Sequence, residues 1–191
     1  GRIADEGQAG FGRNGTHYWG LETQGVLPDI VCMAIGIGNG CQLGAVVTTP
    51  KIAAALSQRI HFNTFGGKPV VSAQGKAVLE VIEREKLQAN SLAMGKHLTS
   101  GLQRLKEKHN VIVDARGKGL MLGIELVKAR TTKEPAKAEC AQVIETCRDM
   151  GLLLGKGGLQ GHTIRFSPPM CIHKQDADFI LEVLDQALGS L

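Results

Sequence analysis

Apolar residues change their spacing several times along this chain, and each change marks an element. Gly1-Arg2-Ile3-Ala4-Asp5-Glu6 reads as the end of a buried strand that delivers Asp5 and Glu6 to its C-terminal edge. A glycine-rich turn, Gly10-Phe11-Gly12-Arg13-Asn14-Gly15, follows. Apolar strands are expected at Ile30 to Ala34 and Gly44 to Thr48, then a short helix after Pro50 and a turn at Phe65-Gly66-Gly67-Lys68-Pro69. Pro69 opens a helix through about Arg84, because proline suits a first helical turn and Val70, Ala73, Ala77, Val78 and Val81 recur at helical spacing. A second helix runs from about Leu87 to Lys108.

Beyond it the register becomes strand-like, at Val111 to Asp114 and at Leu120 to Leu126, joined by the turn Arg116-Gly117-Lys118-Gly119 into a hairpin. Lys128 to Lys137 is polar and contains Pro135, the pattern of an exposed connection. A helix over Ala138 to Met150, strands at Leu152 to Leu154 and Thr163 to Ser167, and a terminal helix over Gln175 to Leu188 complete the pattern. The fold class is α/β, and the change of pattern places a division near Asn110. Residues 1–110 read as part of a larger α/β domain and residues 111–191 as a small α+β domain, with no internal repeats.

Composition narrows the function. With 43% hydrophobic and 21% charged residues the chain is neither disordered nor fibrous. The net charge of +4 is modest and the basic residues are spread among acids, so no nucleic-acid footprint is expected. Cys32, Cys41, Cys140, Cys147 and Cys171 form no C-x-x-C pair, and their odd number fits a reducing compartment. No apolar run approaches the roughly 20 residues that span a bilayer. The abrupt opening, with neither a signal peptide nor an initiator methionine, gives the expectation that the chain starts inside a larger gene product.

Two glycine-rich stretches suggest nucleotide binding when taken alone. Gly10 to Gly15 satisfies G-x-G-x-x-G, with Asp5 on the strand before it, but that fingerprint needs a helix immediately afterwards, and Thr16-His17-Tyr18-Trp19-Gly20 is not a helix start. Gly36-Ile37-Gly38-Asn39-Gly40 lacks the lysine and hydroxyl residue of a P-loop. The six histidines are scattered without H-E-x-x-H, so no metal site is expected.

Several weak motifs nevertheless occur in the order and spacing of one family. Asp5-Glu6-Gly7-Gln8-Ala9-Gly10-Phe11-Gly12-Arg13, Pro28-Asp29-Ile30, Gly36-Ile37-Gly38-Asn39-Gly40, His61-Phe62-Asn63-Thr64-Phe65-Gly66-Gly67, Arg116-Gly117-Lys118-Gly119-Leu120-Met121 and Ile164-Arg165-Phe166-Ser167-Pro168-Pro169 together span nearly the whole chain. This set resembles the C-terminal half of the class III (fold type I), pyridoxal-phosphate-dependent aminotransferases of the alanine-glyoxylate type. The resemblance implies a remnant of the large cofactor-binding domain followed by a small C-terminal domain, in a homodimer or a dimer with a full-length relative, and a mitochondrial location. It implies pyridoxal 5'-phosphate as cofactor and small amino acids and oxo-acids as substrates. It assigns Asp5 to the protonated ring nitrogen, Gln8 to the phenolic oxygen, Thr64 to a phosphate oxygen and Arg165 to the substrate carboxylate. Outside that frame the same residues are a strand-end carboxylate, a turn amide, a loop hydroxyl and a surface arginine.

The sequence departs from the family at the position that matters most. Ile35 stands where the family keeps the lysine that attaches the cofactor and moves the substrate proton, and isoleucine has neither a nucleophile nor a titratable proton. Gly7 replaces a valine, which removes packing worth roughly 1–3 kcal/mol, Ala9 replaces a threonine, and Lys68 replaces an asparagine and is expected to be solvated. With Ile35 in the lysine position and the family's phosphate cup upstream of Gly1, the chain alone is expected to be catalytically inactive. The competing expectations are an aminotransferase, a non-catalytic relative acting through association, and a nucleotide-binding α/β module.

Overall fold

The computed structural model describes residues 1–191, apart from the side chain of Ile35. It is a mixed α/β chain in two compact units, Gly1–Ala89 and Asn90–Leu191. These units divide inside a helix, about twenty residues before the change of pattern near Asn110. The reason is packing: the apolar stripe of that helix, Leu98, Leu102 and Leu105, is buried in the core of the second unit.

In the first unit β1 (Ile3–Asp5) runs parallel to β2 (Ile30–Met33), and β3 (Ala45–Thr48) pairs antiparallel with β2. The register sets Asp5 opposite Cys32. A 3₁₀ turn, Ile35–Gly38, leaves the end of β2. α1 (Pro50–Ser57) and α2 (Pro69–Arg84) each begin on the proline that predicts them. The buried core here is small: Phe11, Met33 and Ile82, with Tyr18, Trp19, Val31 and Val78 among the residues packed against it. Phe11, Tyr18 and Trp19 meet edge to face, with ring centroids 5.0 to 6.0 Å apart.

α3 (Leu87–Lys108) leads into the second unit, where β4 (Ile112–Lys118), β5 (Met121–Leu126), β6 (Gly155–Gly157) and β7 (Thr163–Phe166) form an antiparallel sheet in the order β4-β5-β7-β6. β5 alternates as a half-buried strand should, with Leu122, Ile124 and Leu126 inward. α4 (Lys137–Asp149) contributes Cys140, Val143 and Cys147, and α5 (Lys174–Gly189) contributes Ala177, Ile180, Val183, Leu184, Ala187 and Leu188. Gly95 lets α3 approach the hairpin closely, since a Cβ there would stand 2.4 Å from the Gly119 carbonyl oxygen.

Two local expectations change. β4 continues through Lys118, so the hairpin turn is shorter than Arg116 to Gly119. The strand expected at Leu152 to Leu154 is not one: pairing begins at Gly155, whose partner is Arg165. Its apolar residues drew the prediction, whereas the paired residues Gly155-Lys156-Gly157 carry little strand propensity.

Candidate functional site

Parallel pairing sets the geometry of the first unit's candidate site. Because β1 and β2 run the same way, the C-terminal end of β1 and the turn leaving β2 open on the same edge of the sheet. Asp5 is the last residue of β1, and its Oδ1 accepts a hydrogen bond from the Gly7 amide at 3.0 Å. A Cβ on Gly7 would lie 3.1 Å from that oxygen and 3.3 Å from the Cβ of Ala34. Asp5, Gly7 and Ala34 are thus neighbours, and Ala34 immediately precedes residue 35. The turn at Gly7 is closed tightly over Asp5, so a side chain there would crowd the carboxylate instead of filling the loose space expected from losing a valine. Ile35 opens the 3₁₀ turn, and its side chain lies outside the described residues.

Gln8 is exposed in the turn after β1. Glu6, the second carboxylate of the pair, has another task. It is 2% exposed and accepts from the Gly20 amide at 2.8 Å and the Leu21 amide at 2.7 Å, which satisfies the free donors at the start of the 3₁₀ helix Gly20–Gln24. Sequence reasoning missed this role: Glu6 lies just past the end of β1, and its acceptors are met by a segment fourteen residues on.

The glycine amides of the Gly10 to Gly15 turn are spoken for by backbone carbonyls. The Gly10 amide donates to the Glu6 carbonyl, Gly12 to that of Tyr18 and Gly15 to that of Gly12, so these three donors already have acceptors in or beside the turn. Gly12, at φ 80°, lies so close to the start of α3 that a Cβ would stand 2.8 Å from Gln88 Cβ. Burial lowers the pKa of the Arg13 guanidinium beneath its ordinary value.

Thr64 stands apart from Asp5 and Gln8 in the sequence, in an exposed loop that also carries Phe62 and Phe65. Its conformation is fixed locally by Asn63, whose Oδ1 accepts from the Phe65 amide at 2.9 Å and whose carbonyl accepts from Gly66 at 3.0 Å. Lys68, expected to be merely solvated, holds its ammonium 4.3 Å above the Phe65 ring.

Arg165 belongs to the second unit. It lies on β7 between Gly123 of β5 and Gly155 of β6, and its side chain runs beside Gly155 and Gly157. No carboxylate among the described residues pairs with it. It also lines a cleft of about 330 Å³ with Leu152, Leu154, Phe166 and Pro168. Arg116, in the same register row on the far side of β5, is by contrast neutralised by Asp114 at 2.6 Å and Glu125 at 2.8 Å. No group of three metal-ligating side chains occurs among the described residues, and no helix is long and apolar enough to cross a membrane.

A parallel strand end bearing an acid, followed in the chain by a glycine-rich turn and a small antiparallel domain with an arginine on its sheet, defines a class. The class-III aminotransferase family matches residues 2–188, and the chain belongs to that family. It is 52% identical over 189 residues to the mitochondrial alanine–glyoxylate aminotransferase 2 homolog 2 of Arabidopsis thaliana, covering 99% of this chain and 39% of that protein. It is 50% identical to the mitochondrial alanine–glyoxylate aminotransferase 2 of Homo sapiens, covering 97% of this chain and 37% of that one. The chain therefore spans less than two fifths of the length of these relatives. Among solved structures it is similar to a phospholyase from Arthrobacter in complex with phosphoethanolamine, with TM-score 0.95 and 35% identity over 99% of this chain and 45% of the other. An amine transaminase from an uncultivated Pseudomonas species, in its PLP-bound form, gives TM-score 0.89 and 35% identity over 98% of this chain and 44% of that one.

Proposed function

We propose that this chain carries part of a pyridoxal-phosphate site of the alanine–glyoxylate aminotransferase kind, and that isoleucine at residue 35 leaves it unable to transaminate. The observation that carries the reading is the meeting of Asp5, Gly7 and Ala34 at one edge of a parallel strand pair, immediately before residue 35. The cofactor supplies an electron sink that works while its ring nitrogen stays protonated. Asp5 suits that requirement: one carboxylate oxygen is held by the Gly7 amide, and the other has no partner among the described residues and is available to a pyridinium N–H. Gln8, exposed beside it, is the hydrogen-bond donor for the phenolic oxygen, and the exposed Thr64 hydroxyl donates to a phosphate oxygen. Arg165, without a carboxylate of its own, is the fork for the carboxylate of an amino acid or oxo-acid.

Residue 35 is the position from which a primary amine holds the cofactor and passes a proton to and from the substrate α-carbon. An alkyl side chain does neither. The relatives support alanine and glyoxylate as the substrate pair and a mitochondrial setting.

The exposed apolar loop with Ile60, Phe62 and Phe65 favours a second reading: a non-catalytic chain that associates with a copy of itself or with a full-length relative.

The test is covalent. The chain is incubated with pyridoxal phosphate, reduced with borohydride and mapped by mass spectrometry. No single lysine is expected to be modified selectively, and alanine–glyoxylate turnover is expected to be nil. The Ile35→Lys variant is expected to gain attachment at residue 35. Selective attachment to another lysine with turnover would refute the inactive reading.

A further inference from the structure

The turn that carries residue 35 is tied to α2 by a side chain that none of the roles above uses. Gln74 donates from Nε2 to the Gly38 carbonyl at 2.7 Å, and its Oε1 accepts from the Cys41 thiol at 2.5 Å. One amide thus spans the end of the 3₁₀ turn and the residue three positions beyond it. The Gly38 carbonyl also accepts from the Cys41 amide at 3.1 Å, which closes the loop on itself. Between those anchors Asn39 and Gly40 take positive φ, 42° and 107°. Glycine and asparagine are the residues that take this conformation readily, and Asn39 uses it to end the 3₁₀ turn and reverse the chain toward Cys41. Gly75, next on α2, brings the helix against the same loop: a Cβ there would stand 2.4 Å from Leu43 Cδ2.

We propose that Gln74 is a positioning residue, whose amide forms with the Cys41 thiol a clasp that fixes the Ile35–Gly40 turn on α2 and so gives residue 35 one place at the strand edge that bears Asp5. The proposal rests on reading residue 35 as the cofactor slot, yet the clasp is measurable without any cofactor. It also gives Cys41, a half-buried thiol outside the proposed chemistry, a physical role: a donor that orients the amide so that its nitrogen faces Gly38.

Hydrogen exchange on the 191-residue chain tests the clasp. Gln74→Met keeps the length of the side chain and removes both hydrogen bonds. Exchange of the Ile37 to Cys41 amides is expected to rise roughly tenfold, with α4 and α5 unchanged. Cys41→Ser retains a donor and is expected to stay within about twofold of the unsubstituted chain. Unchanged exchange in Gln74→Met overturns the proposal, and so does an equal rise across the whole first unit, which general loss of packing gives. If Gln74→Met does not fold, Cys41→Ala removes one bond of the clasp: a rise confined to the turn supports the proposal and its absence overturns it. A second arm uses the Ile35→Lys background. Borohydride-fixed pyridoxal phosphate at residue 35 is expected to fall severalfold when Gln74→Met is added, and attachment indifferent to Gln74→Met overturns the positioning role. No attachment in Ile35→Lys alone counts against the cofactor-slot reading, and the exchange result then decides the clasp by itself.

Discussion

The two units differ in how far each satisfies its own apolar surface. The second unit gathers 23 described residues into one core, drawing on three helices and a sheet, while the first gathers three. The exposed side chains reverse the comparison. Ile3, Val46, Val47, Leu56, Ile60, Phe62, Phe65 and Val70 all stand out of the first unit, and in β3 the adjacent Val46 and Val47, which face opposite ways, are both exposed. With apolar residues exposed on both faces, β3 draws no burial from a core on either side. The second unit is the self-sufficient part, and the first, where the cofactor residues are proposed, owes much of its order to local devices: Glu6 on the 3₁₀ helix, Asn63 in its loop and Gln74 on the residue-35 turn.

The largest expected effect tests the core of the second unit. Ile124 is 0% exposed, and Ile124→Ala is expected to cost about 3–4 kcal/mol in urea unfolding of the transition reporting α3 to α5. The matching truncation in the first unit is Val47→Ala, at a residue 58% exposed, with an expected change within about 0.5 kcal/mol. Comparable losses in the two variants would break the comparison, because they would mean that β3 is covered in solution.

Next in size is Glu6→Gln. The carboxylate accepts two backbone amides in a buried position, and the substitution turns one acceptor into a donor facing another donor. A loss of roughly 1–3 kcal/mol is expected for the first unit alone. Fluorescence of Trp19, whose backbone adjoins the capped Gly20, reports it. A shift in the second unit's transition instead would show that the first does not unfold by itself.

How much of this was legible before the structure depends on the kind of signal. The helices opened by Pro50 and Pro69 and the long α3 were readable because proline position and apolar spacing are local rules. Asp5 was readable as a strand end and Arg165 as part of a strand for the same reason. β6 was not, since Gly155-Lys156-Gly157 pairs through its backbone and the preceding leucines carry the apolar signal. The division between compact units inside α3 was not legible, because a change of local pattern at residue 110 says nothing about which core claims that helix. Glu6 with Gly20, Gln74 with Gly38 and Cys41, and Lys68 with Phe65 join residues whose pairing no periodicity encodes.

Acid sharpens the comparison in the second unit. Hydrogen bonds from Arg116 and then from His162 hold Glu125 below its ordinary value of 4.5, and His109 and then Lys108 hold Asp185 below 3.8. A carboxyl group whose folded pKa is depressed contributes stability that is fully present above the unfolded value and is lost as pH falls through the folded one. The second unit is therefore expected to keep these contributions at neutral pH and to lose them progressively below 4.5 for Glu125 and below 3.8 for Asp185. Glu125→Gln should flatten the upper part of that loss in a pH series of urea midpoints. A slope indifferent to Glu125→Gln would assign the acid sensitivity elsewhere.

The smallest effect belongs to the most exposed device. Lys68 stands over the Phe65 ring in a loop where every residue from 60 to 69 is exposed, and such a contact contributes about 0.5–1 kcal/mol at most. Lys68→Met keeps an apolar side chain over the ring and removes the charge, so the unfolding midpoint of the first unit is expected to move by less than about 0.5 kcal/mol. Proteolysis of the loop is the sensitive readout, because cleavage follows local opening and not global stability. A modest rise in cleavage between residues 58 and 68 with an unchanged midpoint would show the contact acting on the loop alone. A large midpoint shift would mean that this exposed loop is packed against something in solution, and the apparent openness of the first unit would then be a property of the isolated fold and not of the protein at working concentration.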